Sequence, residues 1–121
     1  MQDGIYPFDA VCKIELVEGQ PEAKTALKQV EFELASVRAR GGHLLKIVHD
    51  ESLGKSAGRL RGEIRRLLRS CKKTGRVILM IPGESFSMAD GMTRYLADKC
   101  PQIELAPDLD KKNDAITIVY F

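Results

Sequence analysis

The chain has 121 residues, of which 44% are hydrophobic and 30% charged, a balance typical of one folded domain. This length excludes a two-domain chain, and no apolar run approaches the roughly 20 residues needed to cross a bilayer, so no membrane partner is expected. Three widely spaced cysteines, Cys12, Cys71 and Cys100, fit neither a disulfide framework nor a cysteine zinc site and favour a reducing cytoplasm.

The net charge of +2 conceals an uneven distribution of charge. Residues 55–76 contain nine basic residues and one acid, Glu63, whereas the rest of the chain contains more acidic than basic residues. Such an asymmetry is typical of a surface that binds a polyanion.

The first half of the chain predicts the order strand, helix, strand. The apolar residues Cys12, Ile14 and Leu16 occupy every second position, so they are expected on one face of a strand that ends at Gly19. A long amphipathic helix follows, from Pro21 to Gly41, because apolar residues recur at spacings of three and four. Its apolar stripe consists of Ala23, Leu27, Val30, Leu34 and Val37. Residues 44–48 predict a second strand.

The second half continues the alternation. Ser56 is a candidate N-cap for a helix that extends to Gly75. The apolar stripe of this helix consists of Ala57, Leu60, Ile64, Leu67, Leu68 and Cys71. Residues 77–81 are apolar on both faces, which favours a central strand covered on two sides.

A third helix is predicted to begin near Ser87 and to end before Pro101. Its expected buried face consists of Met88, Met92, Tyr95 and Leu96. After a polar loop, the β-branched and aromatic residues at 115–121 predict the last strand.

This order, β-α-β-α-β-α-β, predicts an α/β fold: a two-layer sandwich with a four-stranded mixed sheet. Strand-helix-strand units close right-handedly, so the first two helices are expected on one face of the sheet. One domain covers residues 1–121, with residues 1–11 as an N-terminal extension.

The loop before the second helix resembles the end of a phosphate-binding loop. Gly54, Lys55 and Ser56 match the close of G-x-x-x-x-G-K-S/T, but His49 occupies the position of the opening glycine, which argues against nucleotide hydrolysis. A helix start with free N–H groups near Gly58, beside Lys55, still favours an anion such as a backbone phosphate. The alternative is a helix start that is merely solvated.

Several segments together resemble the small MutS-related (Smr) domain family, including its small stand-alone bacterial members. Residues 14–19 and 21–41 correspond to the family's first strand and helix, and residues 46–49 to the strand that ends in its histidine loop. Gly58-Arg59-Leu60-Arg61 matches the family's G-x-L-R, and residues 114–121 match its last strand. Residues 83–113 form a helix and loop beyond the minimal domain.

The resemblance implies an Smr-like fold, akin to the C-terminal domain of bacterial translation initiation factor three, with DNA or RNA binding and nicking endonuclease activity in some members. It implies His49 and Glu15 as the catalytic residues. Both glycines of the family's H-G-x-G loop are replaced here, by Asp50 and Ser52, so we expect the nuclease activity to be weak or lost. We expect no cofactor, and Mg²⁺ or Mn²⁺ only if nuclease activity is retained.

Each of these residues also has an alternative explanation without a catalytic or metal-binding role. His49 can instead be hydrogen-bonded into its own loop, and the acids beside it, Asp50 and Glu51, can be solvated rather than hold a metal.

The basic helix is the leading candidate for binding nucleic acid, since guanidinium groups match phosphate geometry. The predicted binding residues are Lys55, Ser56, Gly58, Arg59, Arg61, Arg65, Arg66 and Arg69. A low aromatic content of 6% argues against an extended base-stacking platform and favours backbone contacts. The alternative function is a protein-interaction module whose basic helix docks on an acidic partner.

Overall fold

The computed structural model describes residues 7–14, 23–49 and 57–121, except for the side chains of residues 23 and 57–59. The strands are β1 (Ala10–Lys13), β2 (Leu44–Val48), β3 (Leu79–Pro82) and β4 (Ile116–Tyr120). The helices are α1 (Ala23–Ala39), α2 (Ala57–Lys73) and α3 (Gly91–Lys99), with short 3-10 helices at Gly83–Ser85 and Pro101–Leu105.

The four strands form one mixed sheet in the order β1-β2-β4-β3. β1 pairs with β2 in parallel, whereas β4 runs antiparallel to both of its neighbours, β2 and β3. The predicted α/β class and the four-stranded mixed sheet are therefore confirmed.

The two long helices cover one face of the sheet, as expected from two crossovers made in the same direction. Val30 of α1 and Ile64 of α2 are fully buried in one core cluster with Ile47 of β2 and Val119 of β4. This helical layer on the sheet forms the predicted sandwich.

The opposite face of the sheet is covered as well. The alternate strand residues, such as Leu44, Ile81 and Ile118, pack in a second core cluster with Leu96 of α3 and Phe86. The segment 83–113, expected beyond the minimal domain, thus supplies the second cover of the sheet.

The expectation that residues 77–81 form a central strand is wrong, because β3 lies at the edge of the sheet next to β4. Leu79, Met80 and Ile81 are nevertheless all buried, since one cluster takes Met80 and the other takes Leu79 and Ile81. Apolarity on both faces therefore reflects two covers, and β4 is the strand with neighbours on both sides.

The predicted start of α3 also needs correction. The N-cap is Asp90, whose side chain accepts a hydrogen bond from the N–H of Thr93, and not Ser87. Tyr95 is 47% exposed, so it does not share the buried face with Leu96.

Residues assigned to an N-terminal extension take part in the fold. β1 begins at Ala10, Phe8 is buried, and a carboxylate oxygen of Asp9 accepts hydrogen bonds from the backbone N–H groups of His43 and Leu44, at 2.7 and 2.9 Å. The described end of this segment therefore holds the start of β2 in position.

Two glycines in different surroundings allow a matched test of the packing. A Cβ added at Gly62, on the exposed side of α2, would meet nothing within 4 Å, whereas one added at Gly83 would lie 2.0 Å from the carbonyl oxygen of Asn113. Gly62→Ala is expected to raise the free energy of unfolding by about 0.5–1 kcal/mol, because alanine favours the helix. Gly83→Ala is expected to lower it by about 1–3 kcal/mol through the clash.

Urea denaturation of the two variants beside the wild type measures both effects. Equal effects of the two substitutions would contradict the described packing around Gly83.

Candidate nucleic-acid interface

The residues of α2 divide into a buried side and an exposed side. Leu60, Ile64 and Leu68 are buried, and residues two positions later in a helix point to roughly the opposite side. Arg66, two residues after Ile64, accordingly has a 76% exposed side chain, and Arg69 and Lys73 are exposed as well. We refer to Arg66, Arg69 and Lys73 as the basic ridge.

Arg65 does not belong to the exposed side, although the sequence places it among the phosphate-binding arginines. Its side chain is only 8% exposed, and its two terminal nitrogens donate to the two carboxylate oxygens of Glu84, each at 2.9 Å. Nε donates to the hydroxyl of Thr117 at 3.0 Å, and one terminal nitrogen donates to the carbonyl of Ile116 at 3.0 Å. The expected exposure of Arg65 is therefore wrong, because its donors are directed at the protein.

His49 follows β2 and lies at the inner end of the same hydrogen-bonded chain. The imidazole is fully buried, and its Nε2 lies 2.8 Å from the Thr117 hydroxyl oxygen. The same hydroxyl oxygen accepts a hydrogen bond from Nε of Arg65, so Thr117 links the histidine to the arginine. His49 is thus enclosed, and Thr117 of β4 is one of its partners, whereas the loop that follows His49 lies outside the described residues.

Glu84 forms the outer end of this series of hydrogen bonds, and its side chain is 43% exposed. Burial alone would raise the pKa of this carboxyl. The hydrogen bonds from Arg65 and from the Glu84 backbone N–H, together with the charges of Arg65 and Arg61, outweigh burial and hold the pKa below 4.5. The pair is therefore charged on both sides at neutral pH.

Arg61 is intermediate in exposure between the buried Arg65 and the exposed basic ridge. One of its terminal nitrogens lies 3.4 Å from a carboxylate oxygen and 3.4 Å from the backbone carbonyl of Asp114, and its side chain is half-buried. Arg61 is thus turned toward the start of β4, which makes it a weaker candidate for phosphate than the basic ridge.

Other predicted site residues cannot be placed in this geometry. Glu15, Lys55 and Ser56 lie outside the described residues, as do Asp50 and Glu51. Gly58 and Arg59 lie in the first turn of α2, where the structure describes the backbone and no side chains. The catalytic role that the resemblance implies for Glu15 and His49 therefore stays a prediction, and the strands that lead to these two residues, β1 and β2, are neighbours in the sheet.

The exposed side of α1 contributes residues that the sequence-based site did not include. Phe32 is 69% exposed, and Lys28, one turn before it, is exposed too. A signal was present, because Phe32 falls outside the apolar stripe of α1 and lies two residues after the fully buried Val30.

Burial disfavours the reactive thiolate form of two of the cysteines. Burial raises the pKa of the Cys12 thiol to about 12, with a further contribution from the charge of Glu33, and burial likewise raises the pKa of Cys100. Within residues 7–14, 23–49 and 57–121, no three His, Cys, Asp or Glu side chains form a group that could hold a metal ion.

Over the same residues, no helix has the length and apolar character to span a membrane.

Comparison of the chain with models of protein families, with curated proteins and with solved structures gave no match.

The buried Arg65 and the exposed Arg69 predict different effects of the same substitution on stability. Arg65→Met is expected to lower the free energy of unfolding by roughly 2–4 kcal/mol, because it leaves Thr117, the Ile116 carbonyl and Glu84 without their donor. Arg69→Met, on the exposed side, is expected to change it by less than about 0.5 kcal/mol. Equal stability of the two variants in urea denaturation would contradict the buried position of Arg65.

Glu84 also predicts a dependence of stability on pH. A carboxyl whose pKa is lower in the folded than in the unfolded state stabilises the fold above the unfolded value, and this stabilisation is lost as the pH falls through the folded value. Glu84→Gln should therefore be less stable than the wild type near pH 7. The difference should shrink progressively below about pH 4.5.

Urea denaturation over a pH series measures this difference, and Glu104→Gln at an exposed position serves as the control. A Glu84→Gln difference that stays constant from neutral to acidic pH would show that the Arg65–Glu84 pair does not stabilise the fold through its charge.

Proposed function

We propose that the chain binds DNA or RNA through the phosphate backbone, and that the basic ridge of α2 makes the central contacts. The observation that carries this proposal is the exposure of Arg66, Arg69 and Lys73 on one side of a single helix. At a rise of about 1.5 Å per residue, these side chains start from points spread over roughly 10 Å along the helix axis.

Electrostatics supports a polyanionic partner. Glu63 is the single acid of α2, and its carboxylate oxygen lies 3.4 Å from Arg66. One negative charge is too few to neutralise the three positive charges of the ridge. Lys72 and Arg76 are exposed beside the end of the helix and extend the positive surface. Contacts from such side chains to phosphates fix position and supply affinity that depends on salt rather than on base sequence.

We also propose that the chain is a divergent Smr-like domain. The G-x-L-R residues, Gly58 to Arg61, lie at the start of α2, and a mixed four-stranded sheet with two long helices on one face agrees with that family's fold. We infer a weak or lost nicking activity, because the His49 imidazole is enclosed and bonded to Thr117. Mg²⁺ or Mn²⁺ enters only if cleavage is retained.

The three cysteines support a reducing compartment, and within this proposal the protein acts in the cytoplasm. Cys12, Cys71 and Cys100 are free thiols and are buried. Reduced thiols of this kind are ordinary in cytoplasmic proteins and uncommon in small secreted domains.

Neutralising the basic ridge tests the proposal. The triple variant Arg66→Gln, Arg69→Gln, Lys73→Gln should bind single-stranded and duplex DNA and RNA roughly tenfold or more weakly. Each phosphate contact removed should reduce the slope of log K against log salt by about 0.9 on duplex DNA and about 0.7 on single strands. Fluorescence anisotropy at several salt concentrations measures both quantities, and the same mixtures with Mg²⁺ should show little or no cleavage.

The control removes three charges elsewhere, in Arg94→Gln, Lys99→Gln, Lys111→Gln, whose residues are exposed on α3 and the loop after it. This variant should bind nearly as the wild type does. An equal loss in both triple variants would mean that net charge, and not the ridge, drives binding. Wild-type protein that binds none of the nucleic acids would contradict the proposal and favour an acidic protein partner.

A further inference from the structure

The outward face of the helical layer carries an exposed aromatic ring that backbone binding does not explain. Phe32 is 69% exposed, more than any other exposed large hydrophobic residue in the described chain. Phenylalanine is also a weaker helix former than the lysine or glutamate common at exposed helix positions. Neither the core nor the helix therefore accounts for an aromatic residue at this position.

Phe32 and the basic ridge face the same solvent. Phe32 lies two residues after the buried Val30, as Arg66 lies two residues after the buried Ile64, so each is turned away from the sheet beneath its helix. α1 and α2 cover the same face of the sheet and contact each other. The two outward sides therefore form one surface, across helix axes that typically lie about 8–10 Å apart.

The two groups are also at a similar level along their helices. The guanidinium of Arg38, in the last turn of α1, donates to the backbone carbonyl of Arg76, just after α2. β1, β2 and β3 all run in one direction, so the two crossover helices run in the same direction as each other. Phe32 precedes Arg38 by six residues, and the same number of residues before Arg76 leads to the part of α2 next to Arg69. Lys28, exposed one turn before Phe32, adds a positive charge on the α1 side.

We propose that this surface selects nucleic acid with unpaired bases, and that Phe32 stacks on one base while the basic ridge contacts the neighbouring phosphates; the proposal rests on the function proposed above. A helix surface presenting one ring cannot reach a base inside a duplex, where each base is already paired and stacked. An unpaired base offers its aromatic face to any exposed ring, and the contact tolerates every base. A single ring agrees with the low aromatic content, since it provides one stacking contact and no extended platform.

Removing the ring should affect single strands selectively. Phe32→Ala is expected to weaken binding to a single-stranded oligonucleotide by roughly 5- to 100-fold and to change duplex binding by less than about twofold. Phe32→Leu, which keeps an apolar side chain without a π face, should lose single-strand affinity as well. Because Phe32 is exposed, both variants should unfold at nearly the wild-type urea concentration.

A direct readout is available because the sequence contains no tryptophan. Phe32→Trp introduces a single indole whose fluorescence should be quenched on titration with oligo-dT, with a midpoint that agrees with anisotropy. Tyr95→Trp, a half-exposed aromatic position on α3 across the sheet, is the matched control and should show no quenching.

The outcomes separate this inference from the proposed function. If the ridge variant loses binding while Phe32→Ala binds single strands as the wild type does, the stacking role is refuted and the backbone-binding function stands. Equal losses of Phe32→Ala on single strands and duplex would refute selection of unpaired bases, and a fully active Phe32→Leu would refute stacking in favour of an apolar contact. If the ridge variant and Phe32→Ala both bind as tightly as the wild type, both proposals are overturned.

Discussion

The buried guanidinium of Arg65 is the interaction on which the arrangement of α2 depends. It is hydrogen-bonded to a hydroxyl and a carbonyl of β4 and to both oxygens of Glu84 in the 3-10 helix after β3. Arginine suits this position because its planar group presents several donors in fixed directions, which a lysine ammonium does not. Successive helix residues are about 100° apart, so holding Arg65 toward β4 turns Arg66 toward solvent.

The energetic contribution of such a pair is one of orientation more than of net stability. Bringing a charge out of water is unfavourable, and the attraction to Glu84 largely repays that loss. A helix with only an apolar stripe could rotate by part of a turn and still bury most of it. The directional hydrogen bonds of Arg65 oppose that rotation, and the outward direction of the basic ridge follows from them.

The nine basic residues of segment 55–76 therefore do not act as one group. Arg65 serves the fold, and Arg61 is turned toward Asp114, whereas Arg66, Arg69 and Lys73 remain exposed. Sequence alone could identify the excess of charge and the apolar stripe, because both are local patterns. It could not identify Arg65, since a position at the border of the stripe is assigned by its partners, and Glu84 and Thr117 lie 19 and 52 residues further along the chain.

The same distinction between local and distant information applies to the fold. β2 was predicted with the observed bounds, and α1, α2 and β4 within a few residues, because hydrophobic period and glycine signals are local. The edge position of β3 was missed, because a strand covered on both faces has the same apolar pattern at the edge as in the centre. His49 was identified as a strand-end residue, but its burial depends on Thr117 of β4, a pairing that a short motif does not contain.

The outward face of α1 and α2 contains three departures from the local rules of helix stability. Gly62 occupies an open helix position where alanine would fit, Phe32 exposes an aromatic ring, and Arg66, Arg69 and Lys73 set like charges three and four residues apart. Each of these features is unfavourable for an isolated helix. Departures of this kind are typical of functional sites, where a partner supplies the compensating interaction. In the functions proposed above, a polyanion with exposed bases would compensate for both the charge and the ring. No side chain projects from the open position of Gly62, so a strand bound as proposed could approach the backbone of α2 closely there. Under that proposal the three departures have one common physical explanation.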